Sequence, residues 1–117
     1  MSIAYLVVTI ITIAVNSWAA IADLARARFV LANSTAVGVP HSWIPLLAAL
    51  KAAGAAGLLL GLLGLRLVGV AAAAGLVLFF VGAIATHVRA RVFFPNMAFP
   101  GVFLALAVAS LVLAASS

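Results

Sequence analysis

The fold of this chain is decided by residues 44–88, which read IPLLAALKAAGAAGLLLGLLGLRLVGVAAAAGLVLFFVGAIATHV. Lys51 and Arg66 are the only Lys, Arg, Asp or Glu residues in this stretch. A helix needs about 20 mostly apolar residues to cross a bilayer, because its backbone amides must be paired internally where water is absent. Arg66 divides the stretch into two runs of that length. The sequence therefore predicts two membrane-spanning helices joined by a tight turn.

The remainder of the chain is strongly apolar too. Hydrophobic residues make up 69% of the 117 residues and charged residues only 6%, whereas a soluble domain carries about 25% charged residues. The strict alternation of apolar and polar residues that is typical of membrane β-barrels is absent. We therefore expect an all-α, polytopic membrane protein whose single domain is a four-helix bundle. The four predicted spans cover residues 3–22, 44–65, 67–88 and 99–115.

Arginines at the helix ends predict the orientation of the bundle. Arg26 and Arg28 follow the first span and Arg89 and Arg91 follow the third, so these four share one side, here called the arginine-rich end. Arg66 lies in the opposite turn. Because cytoplasmic loops are enriched in Lys and Arg, we expect the arginine-rich end in the cytoplasm and both termini outside the cell membrane. The formal net charge of +5 then suits anionic membrane lipids rather than nucleic acid.

The connections between the spans carry breaking residues. We expect the long connection, residues 23–42, to begin as a basic continuation of the first helix and to break at Gly38 and Pro40. Ser42 is a plausible N-cap for the second span, with Pro45 tolerated in its first turn. The connection before the last span, FFPNMAFPG at residues 93–101, has too many prolines to continue a helix.

Aromatic residues in this last connection, together with Trp18 and Trp43, suit the headgroup region of the membrane. The alternative is that some of these rings line the mouth of an apolar pocket.

Small residues predict close contact between the second and third spans. Gly54, Gly57, Gly61 and Gly64 recur at three- and four-residue spacing on the second span, which lets another helix approach closely. On the third span, Gly75, Gly82 and Thr86 share a face. We interpret both series as packing surfaces of an antiparallel hairpin.

Six polar residues inside or beside the spans are the candidate ligand contacts: Asn16, Asp23, Lys51, Thr86, His87 and Asn96. All six fall toward the arginine-rich end. A lysine about 10 Å inside a helical span is costly unless it reaches the interface or finds a partner. Lys51 could therefore snorkel, pair with Asp23 or Asn16, or face a ligand. Asp23, the only acidic residue, could instead pair with Arg26.

His87 and Lys51 are the candidate catalytic residues. His87 could act as a proton donor, a ligand contact or a metal ligand, but one histidine does not make a metal site, and His41 lies in the long connection. The chain has no cysteine, and no metal or nucleotide signature is present. Catalysis by paired carboxylates is excluded within one subunit, because the chain has a single carboxylate side chain.

The runs GVP at 38–40, LKAAGAAGLLLG at 50–61 and GAIATHVR at 82–89, with Arg66 between the last two, resemble the DoxX-like family of small integral membrane proteins. The resemblance implies a four-helix membrane fold, and Lys51 and His87 are the positions onto which the family pattern carries most clearly. Some members of the wider family look like subunits of quinone-linked oxidoreductases, and others like accessory or assembly proteins.

Three functions are compatible with these residues. The first is a binding or accessory protein that holds a lipid, quinone or similar amphiphile near the cytoplasmic boundary. The second is a membrane-embedded enzyme or redox subunit that uses His87 for proton transfer and Lys51 for charge stabilisation. The third is a small multidrug-type transporter, which Asn16 disfavours because it cannot titrate at the depth where such transporters carry a carboxylate. We also expect a homo-oligomer or a membrane-protein partner.

Overall fold

Residues 2–116 are described by a computed structural model, and within them five helices and no strand are formed. The helices are α1 (Ile3–Leu24), α2 (Arg28–Ala36), α3 (Ile44–Leu62), α4 (Arg66–Ala90) and α5 (Ala98–Ala115). All except α2 belong to segments that are long and apolar enough to cross a membrane. The predicted four-helix membrane bundle is therefore confirmed, with helix ends displaced by a few residues.

The four long helices form a closed ring. α1 packs on α3, α3 on α4, α4 on α5, and α5 returns to α1 through the least extensive of these four contacts. Leu58, Leu76, Phe80 and Phe103 are among the buried apolar side chains at its centre. Large apolar side chains cover the outside, and Leu67, for example, is 81% exposed. Such an exterior is suited to lipid.

Three glycines of the predicted series, Gly54, Gly57 and Gly61, form the contact with α4, whereas Gly64 lies in the turn after α3 and an added Cβ there meets no atom within 4 Å. A Cβ atom built on Gly61 would lie 2.7 Å from the Cα of Gly69, and one on Gly57 would lie 2.5 Å from the Cβ of Ala72. The two backbones therefore touch along this seam. The packing predicted for Gly75 and Gly82 was wrong, because an added Cβ at either position meets no atom within 4 Å. A different face of α4, which includes Gly69 and Ala72, contacts α3.

Two predictions about the long connection were also wrong. The first helix does not continue past Leu24, because Arg26 adopts a left-handed conformation (φ 53°) that reverses the chain before α2 begins. Ser42 is not the N-cap of α3. It lies within a 3₁₀ turn, and Trp43 takes the N-cap position. Pro45 does lie in the first turn of α3 as expected.

Arg66 fastens the opposite end of the bundle. Its Nε donates to the carbonyl of Ala114 at 3.2 Å and a terminal guanidinium nitrogen donates to the carbonyl of Ala115 at 2.5 Å. The last carbonyls of a helix have no intrahelical partner and carry partial negative charge. This arginine therefore caps α5 and ties it to the beginning of α4.

Candidate functional site

A cavity of about 890 Å³ occupies the arginine-rich end of the bundle. Its walls come from the last turns of α1 and α4, the first turns of α3 and α5, and α2, which lies across them. Most of the wall is apolar, with several aromatic side chains: Trp18, Phe29, Trp43, Phe79, Phe80 and Phe99. Pockets for small organic ligands fall in the range of roughly 300–1,000 Å³ and are mostly apolar with a few polar groups.

An ion pair forms part of this wall. The Nζ of Lys51 lies 2.7 Å from the Oδ2 of Asp23, and the two side chains are only 14% and 8% exposed. The ammonium also lies 5.5 Å from the ring centroid of Phe79, within the range of a cation–π interaction. The sequence left several roles open for Lys51, and the structure shows that it both pairs with Asp23 and lines the cavity. Asp23 forms its salt bridge with Lys51 and not with Arg26.

A second polar group joins three separate elements. His87 of α4, which is 4% exposed, has its Nδ1 at 2.7 Å from the carbonyl oxygen of Ala83 and its Nε2 at 3.3 Å from the Oδ1 of Asn33. The same oxygen of Asn33 lies 3.3 Å from the Nδ2 of Asn96, in the turn before α5. Because a carbonyl can only accept, Nδ1 of His87 carries a proton. Asn33 thus connects α2 to the bundle.

The structure brings together five of the six predicted contacts. Asp23, Lys51, Thr86, His87 and Asn96 all line the cavity, and the Thr86 hydroxyl donates to the carbonyl of Gly82 at 2.8 Å.

The sixth predicted contact, Asn16, is fully buried deeper in the bundle and does not line the cavity. Its amide nitrogen donates to the carbonyl of Thr12, while its Oδ1 has no hydrogen-bond partner.

Asn33 was missed as a site residue at the sequence level. It lies in a polar patch of the long connection, and this patch gave no sign that it would form a helix. No local signal identifies it, because the reversal that brings α2 back over the bundle is at Arg26, which is not a glycine (φ 53°).

Stacked aromatic rings hold α2 over the cavity. The ring of Phe29 lies 5.6 Å from that of Trp18 and 6.3 Å from that of Phe99, both in stacked arrangements.

A second, wholly apolar groove of about 330 Å³ between α1 and α5 shares Trp18, Phe99 and Phe103 with the cavity. Some of the aromatic rings at this end therefore line a pocket, which was the alternative to a simple belt in the headgroup region.

Comparison with known proteins gives a family for this arrangement. The sequence model of the DoxX-like family matches residues 7–110, a range that includes every cavity side chain named above. Searches of curated proteins and of solved structures found no match.

Proposed function

The chain belongs to the DoxX-like family and is a multi-pass membrane protein, and from this premise we propose that it binds a lipid, quinone or similar amphiphile as an accessory protein. The observation that carries the proposal is the cavity of about 890 Å³, in which an apolar wall and a small set of polar side chains face the same space. An amphiphile needs both surfaces.

The polar side chains of the cavity are grouped at one end of the bundle, as binding of the polar head of an amphiphile requires. The Lys51–Asp23 pair and the group of His87, Asn33 and Asn96 lie at the arginine-rich end, where a polar head would be near the membrane surface. The groove between α1 and α5 is apolar and lies directly beside the cavity, with Trp18 and Phe99 in the walls of both, and its chemistry suits a hydrocarbon chain.

We expect Gly82→Phe to reduce binding of a chain-bearing amphiphile at least about tenfold, as a steric change of a few methylenes does in an apolar pocket. Gly82 lines the cavity, and the space in front of it is open to an added side chain. The ring would therefore occupy ligand volume without forcing the helices apart. Mass spectrometry of compounds that copurify with the protein measures the effect.

Gly75→Phe is the matched control. Gly75 lies two turns earlier on the same helix, is equally open, and is not part of the cavity wall. This variant should retain the compounds bound by the unmodified protein. Equal retention by the two variants would count against the cavity as the binding site.

We also propose that the arginine-rich end faces the cytoplasm. The chain has no cysteine, so single cysteines can report the orientation. Ser42 is exposed at the arginine-rich end and Ser116 at the opposite end. A membrane-impermeant maleimide should label Ser116→Cys in intact cells and should label Ser42→Cys only after the cells are opened. The reverse pattern would overturn the orientation.

A further inference from the structure

We infer that the cavity selects amphiphiles whose head is uncharged and rich in oxygen atoms, such as a glycerol ester, over amphiphiles with an ionised head. This inference rests on the proposed function, because it specifies the ligand class of the same cavity. It follows from the charge balance and the unused hydrogen-bonding capacity of the wall.

The two charged side chains of the wall already neutralise each other. Lys51 and Asp23 are in contact at 2.7 Å and both are largely shielded. Asp23 is the only acidic residue of the chain, so a cationic head finds no second carboxylate. An anionic head would have to share Lys51 with Asp23, so two negative groups would face one ammonium and one of the two charges would stay uncompensated. Burial of an unpaired charge is unfavourable by several kilocalories per mole.

Neither ring nitrogen of His87 is available to an ionised head. Nδ1 lies 2.7 Å from the carbonyl oxygen of Ala83, and Nε2 lies 3.3 Å from the Oδ1 of Asn33. The same oxygen lies 3.3 Å from the Nδ2 of Asn96. The hydrogen bonds of both ring nitrogens are therefore already used within the protein.

The wall retains hydrogen-bonding capacity that suits oxygen atoms. An ammonium group has three N–H donors, and Lys51 uses one of them on Asp23. Thr86 donates its hydroxyl proton to Gly82, which leaves its oxygen free to accept. A head that combines an ester or carbonyl oxygen with a hydroxyl group can use both, because its oxygen accepts from Lys51 and its hydroxyl group donates to Thr86.

The arginines at the arginine-rich end do not alter the charge balance inside the cavity. Arg26, Arg28, Arg89 and Arg91 are all exposed, and none of them lines the cavity. Exposed charges are screened by salt, and such arginines attract the anionic lipids of the membrane surface. They therefore act on the surrounding bilayer rather than on a head beside Lys51.

The test compares a monoacylglycerol with a fatty acid that carries the same dibrominated chain, at alkaline pH so that the fatty acid is ionised. Trp18 and Trp43 are the only tryptophans, and both line the cavity, so quenching of their fluorescence by bromine reports occupancy. The protein is held in phosphatidylcholine nanodiscs. Gly82→Phe gives the background from quencher in the bilayer.

We expect the monoacylglycerol to bind at least about tenfold more tightly, the factor that corresponds to 1.4 kcal/mol. In Asp23→Asn the lysine loses its partner, and the preference should shift toward the fatty acid by about tenfold or more. Equal or tighter binding of the fatty acid by the unmodified protein would overturn the inference. An unchanged preference in Asp23→Asn would overturn it too. In both cases the cavity would still be a site for amphiphiles. Quenching by neither amphiphile above background would overturn the proposed function and this inference with it.

Discussion

Lys51→Met is expected to destabilise the bundle by about 3 kcal/mol, the lower end of the range for breaking a buried ion pair. Methionine keeps the length of the side chain but removes the ammonium, and the Asp23 carboxylate, which is 8% exposed, then has no cationic partner. The short side chain of Asp23 is packed in the last turn of α1 and cannot swing out to water as a lysine can, so it cannot escape this loss. Unfolding in a fixed detergent, followed by circular dichroism, measures the difference.

The partner variants separate loss of the charge pair from loss of packing. Asp23→Asn should cost less than Lys51→Met, because the long stem of Lys51 lets its ammonium turn toward the interface. The double variant Asp23→Asn with Lys51→Met should recover most of the stability, because no unpaired charge remains. If the two single effects simply add, the ion pair does not explain the stability.

Gly61→Ala is expected to destabilise the protein by about 3 kcal/mol, the upper end of the range for overpacking. The added methyl group would lie 2.7 Å from the Cα of Gly69, and real Cβ atoms do not approach backbone that closely. Neither backbone can rotate away as a flexible side chain would, so α3 and α4 must separate along their whole contact. The same unfolding measurement detects this.

Gly75→Ala provides the comparison on α4. It introduces the same methyl group where no atom lies within 4 Å, and alanine favours a helix by about 0.8–1.0 kcal/mol over glycine. We therefore expect a neutral or slightly stabilising change. A loss of stability in this variant as large as in Gly61→Ala would show that any methyl group is harmful and that the seam is not special.

The four spans were predictable because the length and apolarity of a segment alone decide whether it can cross a bilayer. The Lys51–Asp23 pair could be anticipated for a similar reason, since a deep lysine needs a partner and the sequence offers one carboxylate. The seam on α3 followed from its regular glycine spacing.

Other features depend on tertiary contacts that leave no local signal. α4 has small residues around much of its surface, so residue spacing alone does not distinguish Gly75 from Gly69, and only the approach of α3 does. The left-handed Arg26 has no sequence signature comparable to a glycine. Without that reversal, α2 could not be brought back over the bundle, and Asn33 could not be recognised as a neighbour of His87.

The way in which α2 is attached has different consequences for the affinity and for the residence time of a ligand in the cavity. The four long helices supply the ion pair and most of the apolar wall, whereas α2 rests on them through the ring of Phe29 and the amide of Asn33. Chain reversals at Arg26 and Gly38 bound it on either side. We therefore expect the affinity for a bound amphiphile to depend mainly on the bundle, and its residence time to depend on how readily this short helix lifts.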